Sequence, residues 1–141
     1  MSDRNLQDLI PVVREKAERA LETCRTKGLD VLVTCTLRTG AEQNQLYAQG
    51  RTEPGRIVTN ARAGQSMHQY GCALDLYPMI GGKPDFTGTR PEWHQIAEIF
   101  KSEGFEWGYD WTHFKEMPHF QFTGGHGLGF FEAGGRLEEE T

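Results

Sequence analysis

Two short clusters of metal-binding side chains, about forty residues apart, constrain this chain more than any other feature. Ser66-Met67-His68-Gln69-Tyr70-Gly71-Cys72-Ala73-Leu74-Asp75 carries one imidazole and one carboxylate, and Glu116-Met117-Pro118-His119 carries another of each. Two imidazoles and a carboxylate make three metal ligands, and a second carboxylate is left over to act as a base. That is the inventory of a catalytic zinc site: three protein ligands, one open position, and a group that moves protons. Any fold for this chain has to bring the two clusters together.

With 141 residues the chain is the size of one ordinary domain. A mean hydropathy of −0.60 suits a globular protein with a modest core, and seventeen glycines, several in pairs, imply many loops. The net charge of −5 and the lack of a dense basic stretch exclude nucleic acid as an expected partner. Cys24, Cys35 and Cys72 are odd in number and show no CxxC spacing, which favours free buried thiols over a disulfide framework or a thiolate zinc site. The N-terminus lacks the apolar run of a signal peptide, and no stretch approaches the length of a membrane span. The expectation is synthesis in the cytoplasm, no stable membrane association, a monomer, and a separate route of release if the protein acts elsewhere.

Periodicity gives the frame. A helical pattern runs from about Leu6 to Thr26, with Pro11 early and Gly28 as its stop. Asp30 to Leu37 is rich in β-branched residues and reads as a strand, Ala41 to Gln49 as a short helix, and Pro91 to Glu103 as a third helix. Residues 51–64 read as a loop, with a short strand at Ile57-Val58-Thr59. Cys72 to Tyr77 is a strand whose period of two puts Ala73 and Asp75 on one face and Cys72, Leu74 and Leu76 on the other. Pro118 biases Met117 toward an extended conformation, so Glu116 and His119 are not a helical pair. His119 to Phe122 is then a strand with His119 and Gln121 on one face and Phe120 and Phe122 on the other. The elements do not alternate regularly, which predicts an α+β domain over residues 1–123 with a small, mainly antiparallel sheet and flanking helices. Six glycines and the acidic Glu138-Glu139-Glu140 end predict a mobile tail over 124–141, with Phe130-Phe131 docked.

Residue types alone leave the ligand set open among His68, His94, His113, His119, His126, Asp75, Asp110 and Glu116. His113 is the main competitor because it lies close to His119, although Trp111 and Phe114 beside it suggest a pocket wall as readily. His126 sits in a glycine run expected to fix it poorly.

The flanking residues narrow the choice. Four motifs occur in order: Leu37-Arg38-Thr39 with Glu42-Gln43-Asn44; Leu46-Tyr47-Ala48-Gln49-Gly50-Arg51-Thr52 with Pro54-Gly55; Ser66-x-His68-x-x-Gly71-x-Ala73-x-Asp75; and Trp107-Gly108-x-Asp110-Trp111-x-x-Phe114 leading into Pro118-His119-Phe120-Gln121. Together they resemble the zinc D-alanyl-D-alanine carboxypeptidase group, the M15 peptidases, and within it the L-alanyl-D-glutamate endopeptidase branch of phage endolysins and bacterial wall hydrolases. The resemblance covers about Val31 to Phe122 and implies a fold of the zinc D-Ala-D-Ala-peptidase, hedgehog-like kind.

By that resemblance His68, Asp75 and His119 match the family's Zn(2+) ligands, Glu116 its catalytic acid/base, and Arg38 the arginine that stabilises charge on the scissile carbonyl. Ser66 and Gln43 match positions kept near substrate. Trp107, with Tyr70 and Trp111, is a candidate pocket wall, and Arg51 a candidate for a substrate carboxylate such as that of D-Glu. One departure stands out. The endopeptidase branch often has Asp where this chain has Glu116, whereas the dipeptidase and carboxypeptidase branches use Glu; the extra methylene moves the carboxylate by about 1–1.5 Å. The reading expected is a zinc endopeptidase cutting the L-Ala–D-Glu amide of the peptidoglycan stem peptide, made by a phage or prophage for lysis. The alternatives are a D-Ala-D-Ala dipeptidase or carboxypeptidase of the same family, or a non-catalytic zinc-stabilised binding module. Retention of Glu116 and Arg38 argues against the last, which a fourth ligand such as His113 would revive.

Overall fold

A computed structural model describes residues 3–112 and 115–137. Among the described residues five strands form one antiparallel sheet: β1 (Val31–Cys35), β2 (Ala73–Ile80), β3 (Lys83–Pro84), β4 (Glu106–Trp107) and β5 (His119–Gln121), in the order β1-β2-β5-β4, with β3 pairing the far end of β2. The α-helices described beside it are α1 (Pro11–Thr26), α2 (Gly40–Ala48), α3 (Pro91–Ser102) and the short α4 (Leu128–Glu132). This is the expected α+β architecture.

The sheet alternates as its sequence does. Leu74 and Leu76 of β2, Phe120 of β5 and Trp107 of β4 point to one side and are buried against α1 and α3, which pack with Val12, Val13, Ala17, Trp93, Ile96 and Phe100. Burial of each large aliphatic side chain contributes about 1.5–3 kcal/mol. The opposite alternation sets Asp75 directly across from His119, and Glu106 across from Gln121. On its other edge Asp75 faces Cys35 of β1, beside a slip in register between Val33 and Cys35. One face of a small sheet therefore makes the core, and the other carries the polar side chains.

Several boundaries differ from the sequence reading, each for a local reason. The first helix begins at Pro11 rather than Leu6, because a proline disfavours helical backbone at the residue before it. Leu6–Asp8 is a separate 3-10 turn capped by Asn5, and Leu9 is buried in extended backbone between the two. Ile57-Val58-Thr59 forms no strand, and Ile57 and Val58 stay largely exposed. Strand β2 runs past Tyr77 through Pro78, whose carbonyl accepts from the Asp85 N–H at 2.8 Å. β4 and α4 have too few residues to show a period. Phe131 of α4 is only 3% exposed and joins the core, with its ring 5.5 Å from that of Tyr70.

The three cysteines are free and buried. Burial pushes the Cys24 thiol up to about 11 and the Cys72 thiol up to about 12. Among the described residues no helix is long and apolar enough to cross a membrane.

Candidate functional site

His68 rides on a single 3-10 turn, Met67–Tyr70, whose two ends are fixed by neighbouring residues of the 66–75 motif. Ser66 caps its start by accepting from the His68 N–H, and Gln69 returns the contact in a capping box. Gly71 ends it with φ +68°, a left-handed conformation, and a side chain there would press on Ile10 and Asp8. The turn buries His68 to 1% exposure and aims its ring at Asp75.

The hydrogen-bond network assigns the tautomer of both histidines. His68 Nδ1 lies 2.7 Å from the Thr36 carbonyl, which can only accept, so Nδ1 carries the proton and Nε2 presents its lone pair to Asp75 Oδ1 at 3.1 Å. His119 Nε2 lies 2.8 Å from Gln121 Oε1, and Gln121 Nε2 donates to Glu106 Oε2 at 3.2 Å, which fixes the amide's orientation. Nε2 of His119 is therefore the protonated nitrogen, and Nδ1 faces Asp75 Oδ1 at 3.4 Å. Each of the two histidines is thus oriented by an acceptor behind it, the arrangement that a metal-binding imidazole needs.

Two nitrogen lone pairs and a carboxylate oxygen meeting at one point repel unless something positive lies among them. A tetrahedral ion with bonds near 2.0–2.1 Å separates neighbouring ligand atoms by about 3.3–3.4 Å, and the two contacts to Asp75 Oδ1, at 3.1 and 3.4 Å, are close to that edge. The donor set fits a divalent ion. Burial pushes His68 below the ordinary imidazole range and keeps it neutral against the pull of Asp75. For His119 burial acts the same way, but the hydrogen bond and charge of Asp75, helped by Glu116, outweigh it and hold the imidazole above its ordinary value. Burial by itself raises the Asp75 carboxyl, yet His68 and His119 hold it far below the usual range. A proton and a metal ion thus compete for the same lone pair of His119.

Cys35 also reaches this point: its thiol, His68 and Asp75 offer ligand atoms within 4.8 Å of one another. The sulfur approaches His68 Nδ1 at 3.8 Å, the nitrogen already committed to Thr36, and accepts from Arg38 at 3.5 Å. Burial raises its pKa and keeps it a thiol, which makes it a poorer ligand than His119. Sequence reasoning passed over Cys35 as a neighbour of the site, because its place opposite Asp75 is set by the register between β1 and β2.

Glu116 and Arg38 line the same cleft of about 1080 Å³ as His68, Asp75 and His119. Glu116 N–H donates to the Gly108 carbonyl at 3.2 Å, and a side chain at Gly108 would collide with the Glu116 backbone. Burial raises the Glu116 carboxyl above its ordinary value, with Asp75 adding to this and His119 and Arg38 opposing it. Arg38 donates to Asp75 Oδ2 at 3.4 Å and to Gln43 Oε1 at 2.9 Å.

The remaining expected substrate residues separate. Ser66 lines the cleft, although its hydroxyl is engaged as the cap. Gln43 is fully buried; it accepts from Arg38 and donates to the Ala61 carbonyl at 2.6 Å, so it braces Arg38 rather than meeting substrate. Trp107 is a correction: it is 2% exposed and its indole N–H donates to the Met117 carbonyl at 2.6 Å, so it supports the Glu116 segment from the core and walls no cleft. Arg51 is likewise outside the cleft, with its guanidinium donating to the carbonyls of Tyr47 and Thr59 and to Asn60 Oδ1. Tyr70 packs on Phe131 and donates to the Gly64 carbonyl, whereas Trp111 does line the cleft beside His119. His94 lies among Trp107 and Tyr109 on α3, and His113 falls outside the described residues. His126, expected to be poorly fixed, stacks on Phe130 at 3.7 Å, and the loop that carries it lines the cleft, as does the loop at Thr59–Ala61.

A family model described as D-alanyl-D-alanine carboxypeptidase matches residues 59–122, a span that contains His68, Asp75, Glu116 and His119. The chain is 41% identical over 122 residues to the peptidoglycan L-alanyl-D-glutamate endopeptidase CwlK of Bacillus subtilis, an alignment covering 81% of this chain and 73% of that one. The chain belongs to the M15 peptidases. It is also 30% identical over 120 residues to the L-alanyl-D-glutamate peptidase of Listeria phage A118, covering 84% of this chain and 40% of the phage enzyme. Among solved structures it resembles the Serratia marcescens L-Ala D-Glu endopeptidase ChiX, with a TM-score of 0.65, 25% identity, and coverage of 87% and 89% of the two chains. M15 peptidases are zinc enzymes, so the implied metal and the donor set agree.

Proposed function

We propose that this M15 peptidase hydrolyses the L-Ala–D-Glu amide of the peptidoglycan stem peptide with one zinc ion held by His68 Nε2, Asp75 Oδ1 and His119 Nδ1. The observation that carries the reading is the meeting of two oriented imidazole lone pairs with a carboxylate in a cleft that also holds Glu116 and Arg38. A purely structural metal needs neither of the last two. The scissile bond is drawn from the relatives, two of which are L-alanyl-D-glutamate peptidases by name and share at least 30% of their aligned residues with this chain. A phage or bacterial origin fits equally well, since both kinds are among them.

When bound, zinc supplies Lewis acidity to the attacking water and the scissile carbonyl. The chain's own residues do the rest. Glu116, kept basic by its half-buried setting, takes the proton from the attacking water and hands it to the departing amine of D-Glu. Arg38, held by Gln43 and Asp75, turns its guanidinium to the oxygen on which negative charge develops. Gln121 and the Thr36 carbonyl keep the two imidazoles in the tautomers the metal needs. Gly108 and Trp107 hold the Glu116 segment against the end of the sheet.

Digestion of purified sacculi by the zinc-loaded protein, followed by mass spectrometry of the released fragments, tests this. The expected result is peptides that begin with D-Glu, with L-Ala left on the glycan. Release of D-Ala or of the D-Ala–D-Ala dipeptide without a new D-Glu amino terminus assigns the protein to the carboxypeptidase side of the family instead.

A further inference from the structure

Glu106 is the acidic group in the cleft that neither the ligand set nor the mechanism employs as a reacting group. It sits on β4 directly across from Gln121, on the same face of the sheet as His119 and diagonal to it. Two residues along one strand and one step across place its Cα about 8 Å from that of His119. Gln121 Nε2 at 3.2 Å and Thr123 Oγ1 at 3.3 Å both donate to Oε2. Among the described residues Oε1 makes no hydrogen bond and the carboxylate forms no ion pair. The side chain is exposed and lines the cleft together with the Thr123–Leu128 loop. An oriented carboxylate with one free oxygen, facing a cleft and lacking a cation, is the complement of an ammonium group.

We propose that Glu106 Oε1 is a specificity subsite that receives the side-chain ammonium of the diamino acid following D-Glu in the stem peptide. The inference deepens the endopeptidase reading and rests on it. D-Glu continues into the next residue through its side-chain carboxyl, so the scissile nitrogen and the next Cα are about 7 Å apart on ordinary bond lengths. That span carries the third residue from the metal centre to the neighbourhood of Glu106, with the length of a diamino acid side chain left to close the gap. Wall cross-linking converts this amine to an uncharged amide. The subsite therefore makes the enzyme prefer stems whose third residue is not cross-linked.

The test uses the zinc-loaded protein and two synthetic stem peptides with L-Ala, D-Glu and L-Lys in sequence, one with a free lysine side chain and one Nε-acetylated. The wild type should cleave the free peptide with a kcat/KM about tenfold higher, the size of one charged hydrogen bond at an accessible site. In Glu106→Gln the ratio should fall to about one while zinc content stays at that of the wild type. Equal cleavage of both peptides by the wild type overturns the subsite and leaves the endopeptidase reading standing. Loss of zinc in Glu106→Gln, or an equal loss on both peptides, also overturns it, because Glu106 would then act through Gln121 on His119 and not on substrate. Cleavage of neither peptide by the wild type removes the endopeptidase reading and the subsite with it.

Discussion

The β2–β5 ladder and the loops that wall the cleft meet at the same site but are built differently. Asp75 and His119 are cross-strand partners, backed through the sheet by Leu74 and Phe120 in the core, so their positions follow from main-chain pairing and packing. The 50–66 loop pairs with none of the five strands; beyond a turn and a single bridge at Gln49–Glu53 it is held by side chains reaching backbone: Arg51 to Tyr47 and Thr59, Gln43 to Ala61, and Asn44 to the Ala63 N–H. The tail loop is held by Phe131 in the core and by His126 stacked on Phe130. Strand pairing thus fixes Asp75 and His119, whereas the loops that wall the cleft depend on side-chain ties. The contrast predicts that changes in and around the ladder alter metal binding and turnover, and that changes in the loops alter substrate affinity or local stability.

The largest effect should come from Glu116→Ala. Turnover should fall by about 10²–10⁴-fold while zinc content, measured by elemental analysis, is unchanged, since Glu116 coordinates nothing in this scheme. The wild-type profile should show the same group. Because burial raises the Glu116 carboxyl above the ordinary range, activity should be lost on acidification at a pH higher than about 4.3. The sign follows from its role: the base acts when deprotonated, so activity is present above the raised pKa and disappears below it. An acidic limb that stays put in Glu116→Asp and Glu116→Gln alike assigns it to another group.

Next in size is Phe131→Ala. Truncating a fully buried phenylalanine typically costs about 3–5 kcal/mol, and Phe131 is 3% exposed against Tyr70, whose hydroxyl holds the Gly64 carbonyl of the other loop. Denaturant unfolding should show a loss of that order. A loss below about 1 kcal/mol means that the tail is an appendage and not part of the cleft's construction.

A smaller and sharper effect separates the metal's supports from its ligands. Gln121→Leu removes the acceptor behind His119 Nε2, and such outer supports typically change metal affinity by about 10–100-fold. Competition with a chelator should report it, and Gln121→Glu should restore most of the affinity because it keeps an acceptor at that place. Affinity unchanged in Gln121→Leu shows that the ladder alone orients the ring.

The same contrast explains what the sequence disclosed. The strands bearing Asp75 and His119 were legible because period-two alternation names both the core face and the polar face, and the structure pairs the two residues directly. His68 was found by its motif and not by periodicity, since one 3-10 turn is too short to show a period. The Trp107-Gly108 motif was legible as important, but Trp107 was assigned to a pocket wall, whereas the pair acts from the core side, through the Met117 carbonyl and the Glu116 backbone. Glu106 and Cys35 were missed because their meaning lies in cross-strand register, which pattern along one strand does not reveal.

The smallest effect tests the loops, through Arg51→Ala. The guanidinium donates to the Tyr47 carbonyl at 2.6 Å, the Thr59 carbonyl at 3.1 Å and Asn60 Oδ1 at 2.9 Å, and lies 3.9 Å from the centre of the Tyr47 ring. These contacts tie the end of α2 to Thr59 and Asn60, which line the cleft. The arginine is exposed, so its loss should cost no more than about 1 kcal/mol of stability. Slackening the loop should raise KM about two- to fivefold, a penalty of under about 1 kcal/mol, and leave kcat and zinc content near wild type. Limited proteolysis should cut the 50–66 loop sooner. If KM instead rises by more than tenfold while proteolysis of the loop is unaltered, Arg51 grips a substrate carboxylate after all.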